Sequence, residues 1–201
     1  AKSYSTDETP YTYNIYEPLY GYHYLKRPYV LTTRTAAAVS EPSFVDQAGN
    51  LLPTDTPAKD IAESIYDIKL RPGILYQPHP VFARQSDGRY SYWPLEAQAL
   101  KDKFVIGDFK LTGTRELTAF DYVYAIRRLA SPRVASPIFS TLAEHVVGMQ
   151  AYGKRLREID TALRKDLPPG ARDLPWLDLR EAGFSGVEAL DEHTLRIRVK
   201  G

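Results

Sequence analysis

The chain has 201 residues, 43% of them hydrophobic and 25% charged, a composition that fits a soluble globular domain with a real core and excludes a disordered or collagen-like chain. Lys and Arg number 26 against 25 Asp and Glu, so no sequence-wide field draws the protein to nucleic acid or an anionic membrane, and a charge-selected partner needs a local patch. Cysteine is absent, which excludes disulfides, thiolate nucleophiles and cysteine zinc sites, and no apolar run approaches the roughly 20 residues of a membrane span.

Ala1-Lys2-Ser3 carries neither an initiator Met nor a signal-peptide core, and the alternating run Thr194 to Lys200 stops at Gly201, so the chain reads as a trimmed piece of a longer one. Its first 29 residues hold eight of the 15 tyrosines: Tyr4, Tyr11, Tyr13, Tyr16, Tyr20, Tyr22, Tyr24 and Tyr29. Such a segment either lies across a core with its hydroxyls wet or forms a stacking platform for a sugar, a base or a peptide side chain. Pro42, Gly49, Pro53 and Pro57 make residues 40–59 a loop, with Ala48-Gly49-Asn50 turning a small hairpin.

Ile65 to Arg71 alternates, with Tyr66, Ile68 and Leu70 on one face and Asp67, Lys69 and Arg71 on the other. This predicts a half-buried strand closed by the Pro72-Gly73 turn. Residues 83–115 carry mixed signals, including an amphipathic stretch from Pro94 to Phe104, and read as an excursion from the core. A helix follows, with Thr118 as its cap, Asp121 as the capping-box acid and Tyr122, Val123, Ile126 and Leu129 as its apolar stripe, until Ser131-Pro132. Ser136 caps a second helix with Pro137 in its first position, and Phe139, Leu142, Ala143 and Val146 face inward until Gly148. A third carries Tyr152, Leu156, Ile159 and Leu163 inward, with Asp160 and Arg164 as a solvent-facing pair, until Pro168-Pro169-Gly170. Finally, Val187–Leu190 and Leu195–Val199 flank Asp191-Glu192-His193 as a hairpin. The interspersed elements predict an α+β (mixed α/β) domain.

Chemistry is sparse. Dinucleotide and phosphate-loop glycine spacings are missing, His23, His79, His145 and His193 lie too far apart for a local metal motif, and Gly183-Phe184-Ser185-Gly186 lacks the spacing of a nucleophile elbow. Asp7-Glu8 and Asp191-Glu192 are neighbours in polar turns and show no division into acid and base. The residues themselves therefore point to no catalytic centre, metal or cofactor.

Asn14-Ile15-Tyr16-Glu17-Pro18-Leu19, Ile65 to Gly73, Glu116 to Leu129, the Ala-Ser-Pro repeats at 130–132 and 135–137, and Gly186 to Ile197 occur in an order that resembles the family 5 extracellular solute-binding proteins, the oligopeptide- and dipeptide-binding components of ABC importers. The resemblance implies an N-terminal fragment, mainly the small lobe of a periplasmic-binding-protein-like fold of type II, cluster C. Residues 83–115 and 155–184 are then an insertion and an extended helical insertion. It implies a non-enzymatic protein, periplasmic or anchored outside the cell, that closes two lobes on a peptide or other small solute and presents it to ABC permease subunits, with no role for nucleic acid. By the same resemblance, Tyr4, Ser5, Thr6 and Glu8 border the ligand in an extended stretch, where Glu8 would meet an N-terminal amine. Ile138 and Phe139 approach the cleft after the Ser-Pro pair. A sensor or protein-interaction module built on the same lobe is the alternative, and a carboxylate-dependent hydrolase the remote one.

Overall fold

The computed structural model describes residues 11–12, 15–168, 170–171 and 173–201, and the chain divides into two compact units: 72–117, and the remainder on either side of it. The larger unit combines antiparallel sheets with helices, which makes it α+β. In chain order its elements are β1 (Tyr20–Tyr22), β2 (Leu31–Thr33), β3 (Ser43–Val45), β4 (Leu51–Leu52) and β5 (Glu63–Lys69). After residue 117 come α1 (Ala119–Leu129), α2 (Phe139–His145), α3 (Met149–Arg164), β6 (Val187–Asp191) and β7 (Thr194–Lys200).

Strands β1 and β2 pair with each other, while the other five form one sheet in the order β4-β3-β5-β7-β6. The β5–β7 pairing sets Ile68 opposite Leu195 and Tyr66 opposite Ile197, and β6 adds Val187 and Ala189 to the same face. Against that apolar face pack Ala119 and Val123 of α1 and Met149, Tyr152 and Leu156 of α3, with Leu177, Leu179, Ala182 and Phe184 completing the core. On the opposite face the alternation leaves charges, which the strands pair across the sheet. Arg196 grips Asp67 through two 2.7 Å bonds, Arg198 meets Glu63 at 2.7 Å, and Lys69 donates to Thr194 at 2.6 Å. An antiparallel sheet with one dry face and one ionic face needs this period of two in every strand.

Local signals place most of these elements. At α1 the Thr118 N–H donates to the Asp121 carboxylate at 2.9 Å, closing the capping box, and Arg127 and Arg128 occupy the last turn, where the helix dipole favours cations. The 43–52 hairpin turns on Gly49, at φ +83°, while the Asp46 carboxylate accepts the N–H groups of Ala48 and Asn50, each at 2.9 Å. The second helix differs from expectation. It starts at Phe139, with Ser136 and Pro137 in the preceding turn, and ends at His145 because Val146 turns extended and bridges to β7, with the following Val147 N–H donating to the Arg198 carbonyl at 3.0 Å. Sheet pairing outcompetes another helical turn there. Gly148, at φ +72°, then reverses the chain into α3.

Among the described residues of 155–184, helix is confined to the run of α3 that ends at Arg164. Proline and glycine near 168–170 stop the helix, and its continuation instead covers the core with irregular backbone: Phe184 stacks on Tyr152 at 4.7 Å, and the Tyr152 hydroxyl donates to the Leu179 carbonyl at 2.6 Å. Burial pushes the Tyr152 phenol up to about 12.

The smaller unit begins at the Pro72-Gly73 turn and contains the predicted excursion. Its two ends bond together, the Tyr76 N–H donating to the Arg115 carbonyl at 3.0 Å and the Leu117 N–H to the Ile74 carbonyl at 2.8 Å. Arg115 lies over the rings of Tyr76 and Phe82, and Tyr92 meets Phe109 edge-on at 5.0 Å. The amphipathic stretch from Pro94 to Phe104 forms only a short 3₁₀ turn, Ala97–Leu100.

Two expectations follow. Tyr152→Phe strands the Leu179 carbonyl in the core and lowers unfolding free energy by about 1–3 kcal/mol in urea titrations. Acid acts through the aspartates: hydrogen bonds from the Arg180 side chain and backbone hold the Asp178 carboxyl at about 2, and the Arg196 hydrogen bond lowers that of Asp67. Stability from these groups is complete above the ordinary aspartate value of 3.8 and is lost as pH falls through the lowered values, so the melting temperature declines below about pH 4.

Candidate functional site

The segment joining α1 to α2, residues 130–138, carries Ile138 and leads into Phe139. Ser131 is buried and its hydroxyl accepts the Arg133 N–H at 3.3 Å, which folds the segment back on itself. Arg133 then reaches α3, where its Nε donates to Asp160 Oδ1 at 2.6 Å, and its Nη1 donates to the Pro175 carbonyl at 2.6 Å. Arg164 occupies the second oxygen of the same carboxylate at 2.8 Å. Asp160 is 7% exposed, so the solvent-facing pair expected from the i, i+4 spacing is corrected: its carboxylate is a buried hub with two arginines, one of them 27 residues earlier in the chain. Helical spacing exposes the Asp160–Arg164 relation, but no local pattern reveals Arg133.

Above this anchor the chain delivers Ile138 and Phe139, both half-buried, to the start of α2. Phe139 packs on the core through α3, where Gly153 leaves room for its ring. A Cβ at position 153 would stand 2.6 Å from Phe139 Cζ. Ile138 holds the position before the helix and remains partly open to solvent. The structure thus joins Ile138 and Phe139 to a rigid base, while Tyr4, Ser5, Thr6 and Glu8 lie outside the described residues.

Polar groups also gather in a recess of about 400 Å³ beside the Asp46 turn, lined by Gln47, Glu63, Val147, Arg198 and Lys200. Its cations are engaged: Arg198 with Glu63, and Lys200 with the carbonyls of Ala143 and Glu144 at 3.1 and 2.7 Å. Those carbonyls belong to the last turn of α2, so Lys200 acts as a helix C-cap. A groove of about 620 Å³ runs along the outer side of α3 past Lys154, Arg157, Thr161 and Lys165. Among the described residues no three His, Asp or Glu side chains cluster in the manner of a metal site, and no helix is long and apolar enough to cross a membrane. His79 caps a 3₁₀ turn by accepting the Val81 N–H at 3.1 Å, and His23 accepts the Leu25 N–H at 3.2 Å.

No family model matches this sequence, and the searches of curated proteins and of solved structures return no match either.

The anchor and the ring contact make distinct expectations. Asp160→Asn leaves two arginines without their counter-charge and costs about 3 kcal/mol in chemical unfolding. Gly153→Ala is destabilising by about 1 kcal/mol, because displacing Phe139 outweighs the gain in helix propensity. In a Phe139→Ala background the same substitution stabilises by about 1 kcal/mol, and a double-mutant cycle reads the change of sign.

Proposed function

We propose that this chain is the small lobe of a solute-binding protein of an ABC importer, with an oligopeptide as its leading ligand. The observation that carries the reading is the anchored segment 130–139. The position that the resemblance assigns to the ligand cleft is a half-exposed apolar residue, Ile138, on a loop held by the buried Arg133–Asp160–Arg164 cluster. Such preorganisation suits a binding wall, because a loop ordered before the ligand arrives loses less entropy on binding. The segments that carry the resemblance also coincide with framework elements, namely β5, the capped α1 and the β6–β7 hairpin, in the family's order.

In this reading the lobe is the periplasmic-binding-protein-like small lobe, and the protein works outside the cytoplasm, periplasmic or membrane-anchored. It encloses solute against a second lobe and hands it to permease subunits without transforming it. Ile138 supplies apolar contact, and Phe139 positions it by packing on Gly153. At the first residues, Tyr4 to Glu8, main-chain groups would pair with the peptide backbone and Glu8 with its amino terminus.

Calorimetry of the protein encoded by the full reading frame, titrated with a pool of short peptides, tests this. Saturable binding is expected, and Ile138→Ser weakens it by about ten-fold, the cost of one buried apolar contact, with the melting temperature held. Co-purification with the permease subunits is expected alongside. Peptide binding without that association supports a sensor in place of a transporter, and absence of any binding across the pool overturns the proposal.

A further inference from the structure

The β1–β2 hairpin carries features that solute binding does not use. Its base is fixed: Tyr20 packs on the core, the Arg34 N–H donates to the Leu19 carbonyl at 2.9 Å, and the buried Thr35 hydroxyl lies 2.6 Å from that of Tyr122. Its tip is displayed. Tyr22, Tyr24, Leu25 and Tyr29 are 66, 88, 77 and 67% exposed, and Val30 and Leu31 add further apolar surface. Within the tip, residues 22–31, the chain carries Lys26 and Arg27 and no carboxylate, so a nearly neutral protein places two positive charges among these apolar side chains.

Some of the tip's polar groups are paired within it. The His23 N–H donates to the Val30 carbonyl at 2.8 Å and the Leu25 N–H to His23 Nδ1 at 3.2 Å. Arg27 Nη1 donates to the carbonyls of Tyr24 and Lys26 at 3.3 and 2.9 Å, while the guanidinium lies 4.6 Å from the centre of the Tyr29 ring, which in turn meets Tyr22 at 5.5 Å. Backbone groups that already have partners do not resist transfer to a medium poor in water.

We propose that residues 22–31 form a membrane-docking tip that seats in the headgroup layer of an anionic lipid bilayer. Tyrosine rings favour that layer, with the ring toward the acyl boundary and the hydroxyl among the headgroups. Leu25 reaches deeper, and Lys26 meets lipid phosphate. The two positive charges select an anionic surface. An acidic protein would need a fitted socket for Tyr24 and Leu25, whereas a fluid headgroup layer accommodates a protruding tip without one. This inference stands apart from the solute-binding reading and is tested separately from it.

Co-sedimentation of the 201-residue chain with vesicles is the measurement. Binding to phosphatidylcholine vesicles carrying about 30 mol% phosphatidylglycerol should exceed binding to phosphatidylcholine alone by at least about ten-fold, and Lys26→Glu should weaken it by about five-fold or more. Tyr24→Ser with Leu25→Ser should abolish it. Since these side chains are exposed, unchanged melting temperatures separate lost docking from lost folding. Equal sedimentation with both vesicle types, or binding that survives both variants, overturns the proposal. Retention on immobilised polyglutamate without vesicle binding also overturns it, and transfers the tip to an acidic protein partner.

Discussion

The pairing of β5 with β7 is the constraint on which the rest of the larger unit depends. It sets Asp67 against Arg196 and Ile68 against Leu195, residues more than a hundred positions apart, and so closes the chain across everything between them. Closing so long a loop is entropically costly, and the two faces of the pairing offset the cost differently. Ile68, Leu195 and Val187 form the dry surface that receives α1 and α3, while the ionic ladder on the other face ties down register, since a slip by one residue would send the arginines toward the core.

The second helix and the loop before it derive their positions from that sheet. Lys200, at the end of β7, donates to the Ala143 and Glu144 carbonyls in the last turn of α2, while Val146 and Val147 leave the helix to bond beside Arg198. Together with Arg133 on Asp160 and Phe139 on Gly153, these contacts fasten both ends of the segment that presents Ile138. The Arg133 Nε and Nη1 groups and the Phe139 ring supply these fastenings, whereas Arg133 Nη2 and the Ser136 hydroxyl are buried without a partner.

Two surfaces of opposite character result. Around Ile138 the Asp160 carboxylate is buried and paired with two arginines, and Ile138 itself is only partly open to solvent. At the β1–β2 tip the apolar residues are many and the cations sit beside them. A local concentration of charge of this kind is invisible in a formal net charge of +1, and it matters because electrostatic attraction acts over about a Debye length.

What the amino-acid sequence determined alone was local chemistry: the Thr118–Asp121 capping box, the turns at Gly49 and Gly73, the alternation of β5 and the hairpin at Asp191 to His193 depend on neighbours within a few positions. The end of α2 was not legible, because pairing beside β7, remote in sequence, decides where that helix stops. Ile138 and Phe139 could be named from resemblance, but neither the packing of Phe139 on Gly153 nor the arginine hub at Asp160 has a local signature. Such partners are chosen when strand pairing brings distant segments together and buried charge must find its counter-charge, which only the tertiary structure decides.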